Sequence, residues 1–116
     1  MSESAKNTAS NRRRALRRSP KSSTRISCHP NALGVGKNLA ASLLDLSEFG
    51  VRLLVKVNLK PGQEVHIGLE GMGHRRAIRV AGHVAWAVPA ADGSCCIGVE
   101  FQKPLPYADL LELARL

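Results

Sequence analysis

Aromatic residues are scarce in this sequence, and long apolar runs are missing. Phe, Tyr and Trp make up 3% of the 116 residues. Because proteins bind single-stranded nucleic acids largely by stacking bases on aromatic side chains, this scarcity argues against a nucleic-acid platform on the folded body. No apolar stretch approaches the ~20 residues that a membrane-spanning helix needs. The basic N-terminus also lacks the apolar segment of a secretory signal, so we expect a cytoplasmic protein without membrane insertion.

Cysteines are few, and motifs for metal binding or catalysis are absent. Cys28, Cys95 and Cys96 are an odd number of cysteines and lack the C-x-x-C spacing of a zinc site, and the four histidines lie in separate segments. We therefore expect reduced thiols and no bound metal. The sequence shows no nucleophile–base pair at a motif spacing, so we expect no enzyme activity and no cofactor.

Acidic residues are in the minority, and the excess positive charge lies at one end. The formal net charge is +8. Residues 1–25 carry eight basic side chains against one acidic, a net charge of +7, whereas residues 26–116 carry nine against eight, a net charge of +1. A segment with this charge repels itself and buries little. We expect residues 1–11 to be disordered and residues 12–23 to form a flexible arginine-rich arm that attracts an anion.

After the arm, apolar residues alternate over short runs separated by turn signals such as Pro61-Gly62 and Asp92-Gly93. This pattern predicts six strands. On the fifth strand Trp86 alternates in phase with other apolar residues, which predicts a core position, and Gly82 is expected to mark a bulge. We predict a small six-stranded antiparallel β-barrel over residues 24–103 and a short helix within residues 104–116. The predicted strands span residues 24–28, 38–46, 51–55, 63–69, 77–88 and 97–101, and the helix spans residues 107–116.

Between the second and third predicted strands stand Asp45, Ser47 and Gly50, at D-x-S-x-x-G spacing. A carboxylate can accept hydrogen bonds from the N–H edge of guanine, a hydroxyl can donate to phosphate, and glycine permits close approach of a ligand. Guanidinium groups bind phosphate through paired hydrogen-bond donors and stack on purine rings. The motif and the upstream arginines together favour a guanine nucleotide that carries more than one phosphate. These arginines are Arg12, Arg13, Arg14, Arg17 and Arg18.

Simpler interpretations of the same residues stay open. The arginine cluster alone fits a solvated tail with general affinity for nucleic acid or acidic lipid. Asp45 and Ser47 fit a turn that bonds its own backbone. For Gly50, a required positive φ is the favoured explanation.

Five segments along the chain have distinctive patterns. Residues 13–17 read RxxxR, and residues 45–50 read D-x-S-x-x-G. Residues 59–65, 80–86 and 97–101 read L-x-P-G-x-x-V, V-x-G-x-V-x-W and I-G-V-x-F. In this order the segments resemble the PilZ domain, a small β-barrel receptor for cyclic di-GMP. The resemblance covers about residues 12–103. It implies a cyclic di-GMP site formed by Arg13, Arg17, Asp45, Ser47 and Gly50, although Arg14 and Arg18 satisfy RxxxR equally well.

The resemblance also implies a non-catalytic mechanism. Cyclic di-GMP docks on the barrel, the arginine arm folds over it, and Asp45 and Ser47 hold a guanine edge and a phosphate. Ordering of the arm then creates a surface for a downstream protein. Two alternatives remain: a PilZ-like scaffold without ligand, which the spacer at residues 19–23 motivates, and a nucleic-acid binder that acts through the basic tail. A homodimer also stays open.

Overall fold

The computed structural model describes residues 16–31, 36–72 and 77–115, in which the chain forms six strands and one short helix. Residues 1–11, Arg13 and Arg14 lie outside this part of the chain. The predicted six-stranded barrel and C-terminal helix are confirmed, with strand ends shifted by a few residues. The elements are β1 (Arg25–His29), β2 (Ala40–Leu46), β3 (Gly50–Val55), β4 (Glu64–Glu70), β5 (Ile78–Pro89), β6 (Cys95–Phe101) and α1 (Tyr107–Leu113).

The strands form one antiparallel sheet in the order β1-β4-β5-β6-β3-β2. The sheet curls until β1 and β2, its two ends, nearly meet. At this seam the Oδ1 atom of Asn38 accepts hydrogen bonds from the backbone N–H groups of Cys28 at 2.9 Å and of Ala40 at 3.0 Å. The N–H of Leu39 donates to the carbonyl of Cys28 at 2.9 Å. These bonds satisfy backbone groups that an open sheet would leave unpaired.

The inner face of the sheet forms the core. Alternate residues of the strands are fully buried there, as the period-2 pattern predicts. Leu110 and Leu113 of α1 belong to the same cluster, which explains why the helix packs on the barrel. The largest fully buried side chains include Leu46, Leu53, Ile67, Leu69 and Ile97.

The predicted bulge at Gly82 is wrong, and so is the predicted core position of Trp86. Gly82 pairs regularly with Phe101 and Val65, and it is needed because a Cβ there would collide with the carbonyl of Glu100. The register shift lies further along, between Val84 and Trp86. One extra residue reverses the alternation, so Trp86 is only half-buried and lies on the outer face.

The second half of the arginine arm is bonded to the barrel and to the end of α1. Arg18 exchanges two backbone hydrogen bonds with Leu46, of 2.8 and 3.0 Å. The N–H of Lys21 donates to the carbonyl of Leu113 at 2.9 Å, and the Thr24 hydroxyl donates to the same oxygen at 2.7 Å. The N–H of Arg115 donates to Ser19 at 2.8 Å. The spacer at residues 19–23 therefore packs between β2 and the C-terminal end of α1.

Candidate functional site

The D-x-S-x-x-G motif forms the turn of the β2–β3 hairpin. The N–H of Ser47 donates to the carbonyl of Gly50 at 2.9 Å, and the N–H of Phe49 donates to the Ser47 hydroxyl oxygen at 3.2 Å. A hydroxyl has one proton to donate besides its acceptor sites. Ser47 therefore stabilises the turn and still has a proton to donate, so the turn interpretation and the binding interpretation are compatible.

Asp45 is bonded to two arginines from different parts of the chain. Arg52 lies opposite it in the hairpin, and Nε of Arg52 donates to Oδ2 at 2.6 Å while Nη2 bonds the same oxygen. Nη1 of Arg17 donates to Oδ1 at 3.1 Å. The hydrogen bond to Asp45 raises the pKa of Arg52. These bonds explain how a carboxylate that is only 7% exposed is tolerated at this position.

Asp45 belongs to a row of facing residues that crosses four strands. Asp45 faces Arg52, Arg52 faces Gly98, and Gly98 faces Trp86. A Cβ at Gly98 would collide with the indole ring, so the glycine lets the ring of Trp86 lie over the backbone of β6. The outer face therefore presents an acid, a guanidinium group and an aromatic ring side by side.

A shallow cavity of about 90 Å³ lies next to this row, and Arg17, Ser47, Gly50 and Trp86 are among the residues that line it. Asp45 is outside the lining and is connected to the cavity through Arg17. Pockets that enclose a drug-sized ligand measure roughly 300–1,000 Å³. A dinucleotide would therefore lie across this outer face rather than inside the cavity, and it would need a cover.

The structure brings Arg17, Asp45, Ser47 and Gly50 together, whereas Arg13 and Arg14 lie outside the described residues. Arg18 differs from Arg17: its backbone bridges to β2, and its buried Nε has no hydrogen-bond partner within residues 16–31, 36–72 and 77–115.

The predicted positive φ at Gly50 is wrong. Positive φ occurs among the described glycines at Gly36, Gly62 and Gly93. Gly50 is required for a different reason, since a Cβ there would collide with the carbonyl oxygen of Val99.

Sequence reasoning missed Arg52, Gly98 and Trp86. The position of Arg52 was available from the hairpin, because Asp45 and Arg52 are equally distant from the centre of the turn and therefore face each other. The position of Trp86 depends on the register shift in β5, for which the sequence has no local signal.

Other kinds of site find no support in the described part of the chain. No group of three or more His, Cys, Asp or Glu residues there is arranged to hold a metal ion. Among the same residues, no helix has the length and apolar character required to cross a bilayer.

The fold and the site together define a small antiparallel β-barrel that holds a basic arm against a carboxylate on its outer face. The family model of the PilZ domain matches residues 11–116, nearly the whole chain, and the chain belongs to this family. PilZ domains are in general receptor domains for cyclic di-GMP. The match includes α1, whereas the motifs that resemble the family lie within residues 12–103. No curated protein matches the chain.

Proposed function

We propose that this chain is a non-catalytic cytoplasmic receptor for cyclic di-GMP, with Arg13, Arg17, Asp45, Ser47 and Gly50 as its binding residues. One observation carries the proposal: Arg17 of the arm is bonded to Asp45 at the edge of a cavity that Ser47, Gly50 and Trp86 help to line. The contact brings the two motifs to one place. It also favours the register with Arg13 and Arg17 over the register with Arg14 and Arg18.

We infer that the ligand binds Asp45 at Oδ1 and displaces Arg17 from that oxygen. Guanine presents two neighbouring N–H donors, and an ionised carboxylate has about four acceptor sites. Oδ2 already accepts two bonds from Arg52, whereas Oδ1 accepts one from Arg17. Arg17 is the exchangeable partner because it makes one bond and its side chain is 50% exposed. Breaking such a pair costs roughly 0.2–1 kcal/mol. Arg52, which makes two bonds to Oδ2, holds the carboxylate in place while Arg17 moves to a phosphate.

Trp86 and Ser47 complete the site. The indole ring offers an aromatic surface beside the cavity, and base–aromatic stacking is worth roughly 1–3 kcal/mol per base. The free proton of the Ser47 hydroxyl can be donated to a phosphate oxygen. Trp86 is the only tryptophan in the chain, so its fluorescence reports directly on occupation of the site.

The spacer at residues 19–23 does not weaken this arrangement. A long flexible connection would raise the entropic cost of closing the arm. Arg17 is the immediate neighbour of Arg18, however, and Arg18 is bonded to Leu46. The arginine that contacts Asp45 is therefore held close to the barrel. The arm and the ligand would then present a combined surface to a downstream protein, the partner that this proposal implies.

Titration calorimetry with cyclic di-GMP tests the proposal. We expect micromolar or tighter binding by the native chain, and at least about tenfold weaker binding by Arg17→Ala and by Asp45→Ala, since each loses a charged hydrogen bond to the ligand. Arg25→Ala is the matched control, because Arg25 is an exposed arginine that pairs with Glu70 on another strand.

The alternatives have distinct outcomes. The absence of heat at high ligand concentration would refute the proposal. A partner protein that binds equally well with and without nucleotide would indicate a scaffold. DNA binding that falls steeply with salt and survives Asp45→Ala would indicate a basic tail that binds nucleic acid.

A further inference from the structure

A second depression lies on the outer face of β1, β4 and β5, on strands other than those that carry Asp45. Its volume is about 80 Å³, and its lining includes Ser27, His29, His66, Gly68 and Arg79. Nothing in the proposed nucleotide site uses these residues. The volume is two to three times the ~30 Å³ that one water molecule occupies in the liquid, which is room for a small ion.

The sheet register explains why these side chains converge. Ser27 faces Gly68 and Gly68 faces Arg79, while His29 faces His66 in the adjacent row. Facing residues project from the same side of a sheet, with Cβ atoms about 4.5–5.5 Å apart. A Cβ at Gly68 would collide with the Ser27 hydroxyl oxygen, so the hydroxyl lies over the glycine. The missing side chain of Gly68 makes room for this hydroxyl in the floor of the depression.

The lining includes the hydrogen-bond donors of Ser27, His29 and Arg79, and Arg79 carries a fixed positive charge. Within the described residues, no hydrogen bond or ion pair engages the side chains of Ser27, His29 or Arg79. Nε2 of His66 lies 2.9 Å from Oε1 of Glu64. An ionised carboxylate only accepts, so the Nε2 proton points toward Glu64, and Nδ1 donates to an anion only in the imidazolium form of the ring.

This composition suits an anion better than a cation. The described residues lack a third His, Cys, Asp or Glu placed to complete a metal site here, and the guanidinium group of Arg79 repels metal ions. Guanidinium groups bind phosphate and sulfate with paired donors, and hydroxyl and imidazole N–H groups add further donors.

We propose that the donors of Ser27, His29 and Arg79 form a second site, which binds a small tetrahedral oxyanion such as the phosphoryl group of inorganic phosphate or of a phosphomonoester. Gly68 makes room for the Ser27 hydroxyl, and His66 lines the site. The site is independent of Asp45, and therefore of the function proposed above.

Nuclear magnetic resonance of the full chain tests this site. The native protein is titrated with inorganic phosphate and, separately, with glycerol phosphate, with chloride adjusted to keep the ionic strength constant. We expect saturable changes in the backbone amide signals of Ser27, Gly68 and Arg79. The phosphate source that binds at the lower concentration identifies the better ligand, and saturable binding of either supports the site.

Three variants make the test specific. Arg79→Gln should weaken binding at least about tenfold, because it removes the charged donor. Gly68→Ala should weaken it by displacing the Ser27 hydroxyl from its place over the glycine. Arg25→Gln is the matched control, since Arg25 lies on the same face of β1 but opposite Glu70. Arg17→Gln, which changes the nucleotide site, should leave the phosphate-induced changes at Ser27, Gly68 and Arg79 as they are in the native chain.

The proposal fails if the changes do not saturate, or if Arg79→Gln binds as tightly as the native chain. It also fails if Arg25→Gln weakens binding as much as Arg79→Gln, which would indicate general attraction to positive charge. Loss of phosphate binding in Arg17→Gln would place the ion at the nucleotide site instead. The dispersion of each variant's amide spectrum shows whether the variant is folded.

Discussion

Asp45 is central to the proposed site, and its surroundings distinguish the two arginines that it contacts. The carboxylate is almost covered, so it needs a permanent cationic partner. Arg52 fits that role because it bonds Oδ2 through two nitrogens and its position is fixed by the hairpin register. Arg17 comes from the arm and makes one bond. We infer that Arg52 positions the carboxylate and that Arg17 is the partner that a ligand displaces.

We predict that Arg52→Gln and Arg17→Gln separate stability from binding. Arg52→Gln should lower the free energy of unfolding by about 1–2 kcal/mol, the value of a charged hydrogen bond discounted for the 43% exposure of the side chain. Arg17→Gln should change it by less than about 1 kcal/mol. Both should weaken cyclic di-GMP binding about tenfold or more. Urea unfolding and calorimetry measure the two effects.

Arg52→Lys is the control for geometry, because lysine keeps the charge but lacks the planar pair of donors. If Arg52→Lys binds cyclic di-GMP as tightly as the native chain, the charge of the side chain alone is sufficient and the positioning role is refuted. Unchanged affinity in Arg52→Gln would refute it as well.

Because of Cys28, we expect the stability of the barrel to depend on pH in the alkaline range. Its side chain is completely buried on β1, and this burial raises the pKa of the thiol from 9.0 to about 11. Below pH 9 the thiol is protonated in both the folded and the unfolded chain, so its ionisation does not change the free energy of unfolding. Between pH 9 and about 11 only the unfolded chain loses the proton. Unfolding is therefore favoured as the pH rises through this range.

We predict that the free energy of unfolding falls by roughly 2–3 kcal/mol between pH 9 and 11 because of Cys28, at 1.36 kcal/mol per unit of pKa difference. Cys28→Val, which cannot ionise, should show a smaller decrease over the same range. Urea unfolding of both proteins at several pH values measures their free energies of unfolding. The difference between the two proteins cancels the contribution of the lysine and tyrosine residues that they share. If the free energy of unfolding falls equally with pH in the two proteins, the thiol has no such effect.

At the scale of the elements, the barrel is weakest at the seam between β1 and β2. These two strands have no continuous ladder between them, and one side-chain oxygen of Asn38 accepts hydrogen bonds from both sides of the gap. One side of the seam is β2, the strand that also carries Asp45. An intact seam therefore helps to keep the carboxylate in register with Arg52.

We predict that Asn38→Ala lowers the free energy of unfolding by about 1–2 kcal/mol, because the N–H groups of Cys28 and Ala40 lose their acceptor. Asn38→Asp, which keeps an acceptor oxygen, should retain most of the stability. Hydrogen exchange at the Cys28 and Ala40 amides should accelerate in Asn38→Ala more than exchange at core amides of β6. Equal protection at the seam in Asn38→Ala and in the native chain would contradict the prediction.

The elements also show what the sequence could predict. Short apolar runs, some of them alternating, predict all six strands, and the glycines of two predicted turns, Gly62 and Gly93, have positive φ. The register shift near Ala85 was not predictable, because the apolar alternation of Val84, Trp86 and Val88 continues through it without a break. The contact of residues 19–24 with α1 was missed for a similar reason, since bonds between distant backbone segments leave no local pattern.

At the scale of the whole molecule, the charge asymmetry has a consequence for the ligand. A net charge of +7 lies in residues 1–25, at the end of the chain that reaches Asp45 through Arg17. An anionic ligand at this site neutralises part of the charge, so its binding should weaken as salt screens the attraction. Folding and binding are linked, because a ligand that binds only the folded chain stabilises the barrel as a whole.

We predict that cyclic di-GMP at a hundred times its Kd raises the midpoint of thermal unfolding by roughly 10 °C. Such an excess stabilises the fold by about 2.7 kcal/mol, and each kcal/mol raises the midpoint of a domain of this size by about 4 °C. The shift should decrease as salt is raised at a fixed ligand concentration, and the same ligand concentration should give about half of it or less in Asp45→Ala. Circular dichroism of the strands measures the midpoint without depending on Trp86. An equal shift in Asp45→Ala would show that the ligand stabilises the chain from a different site.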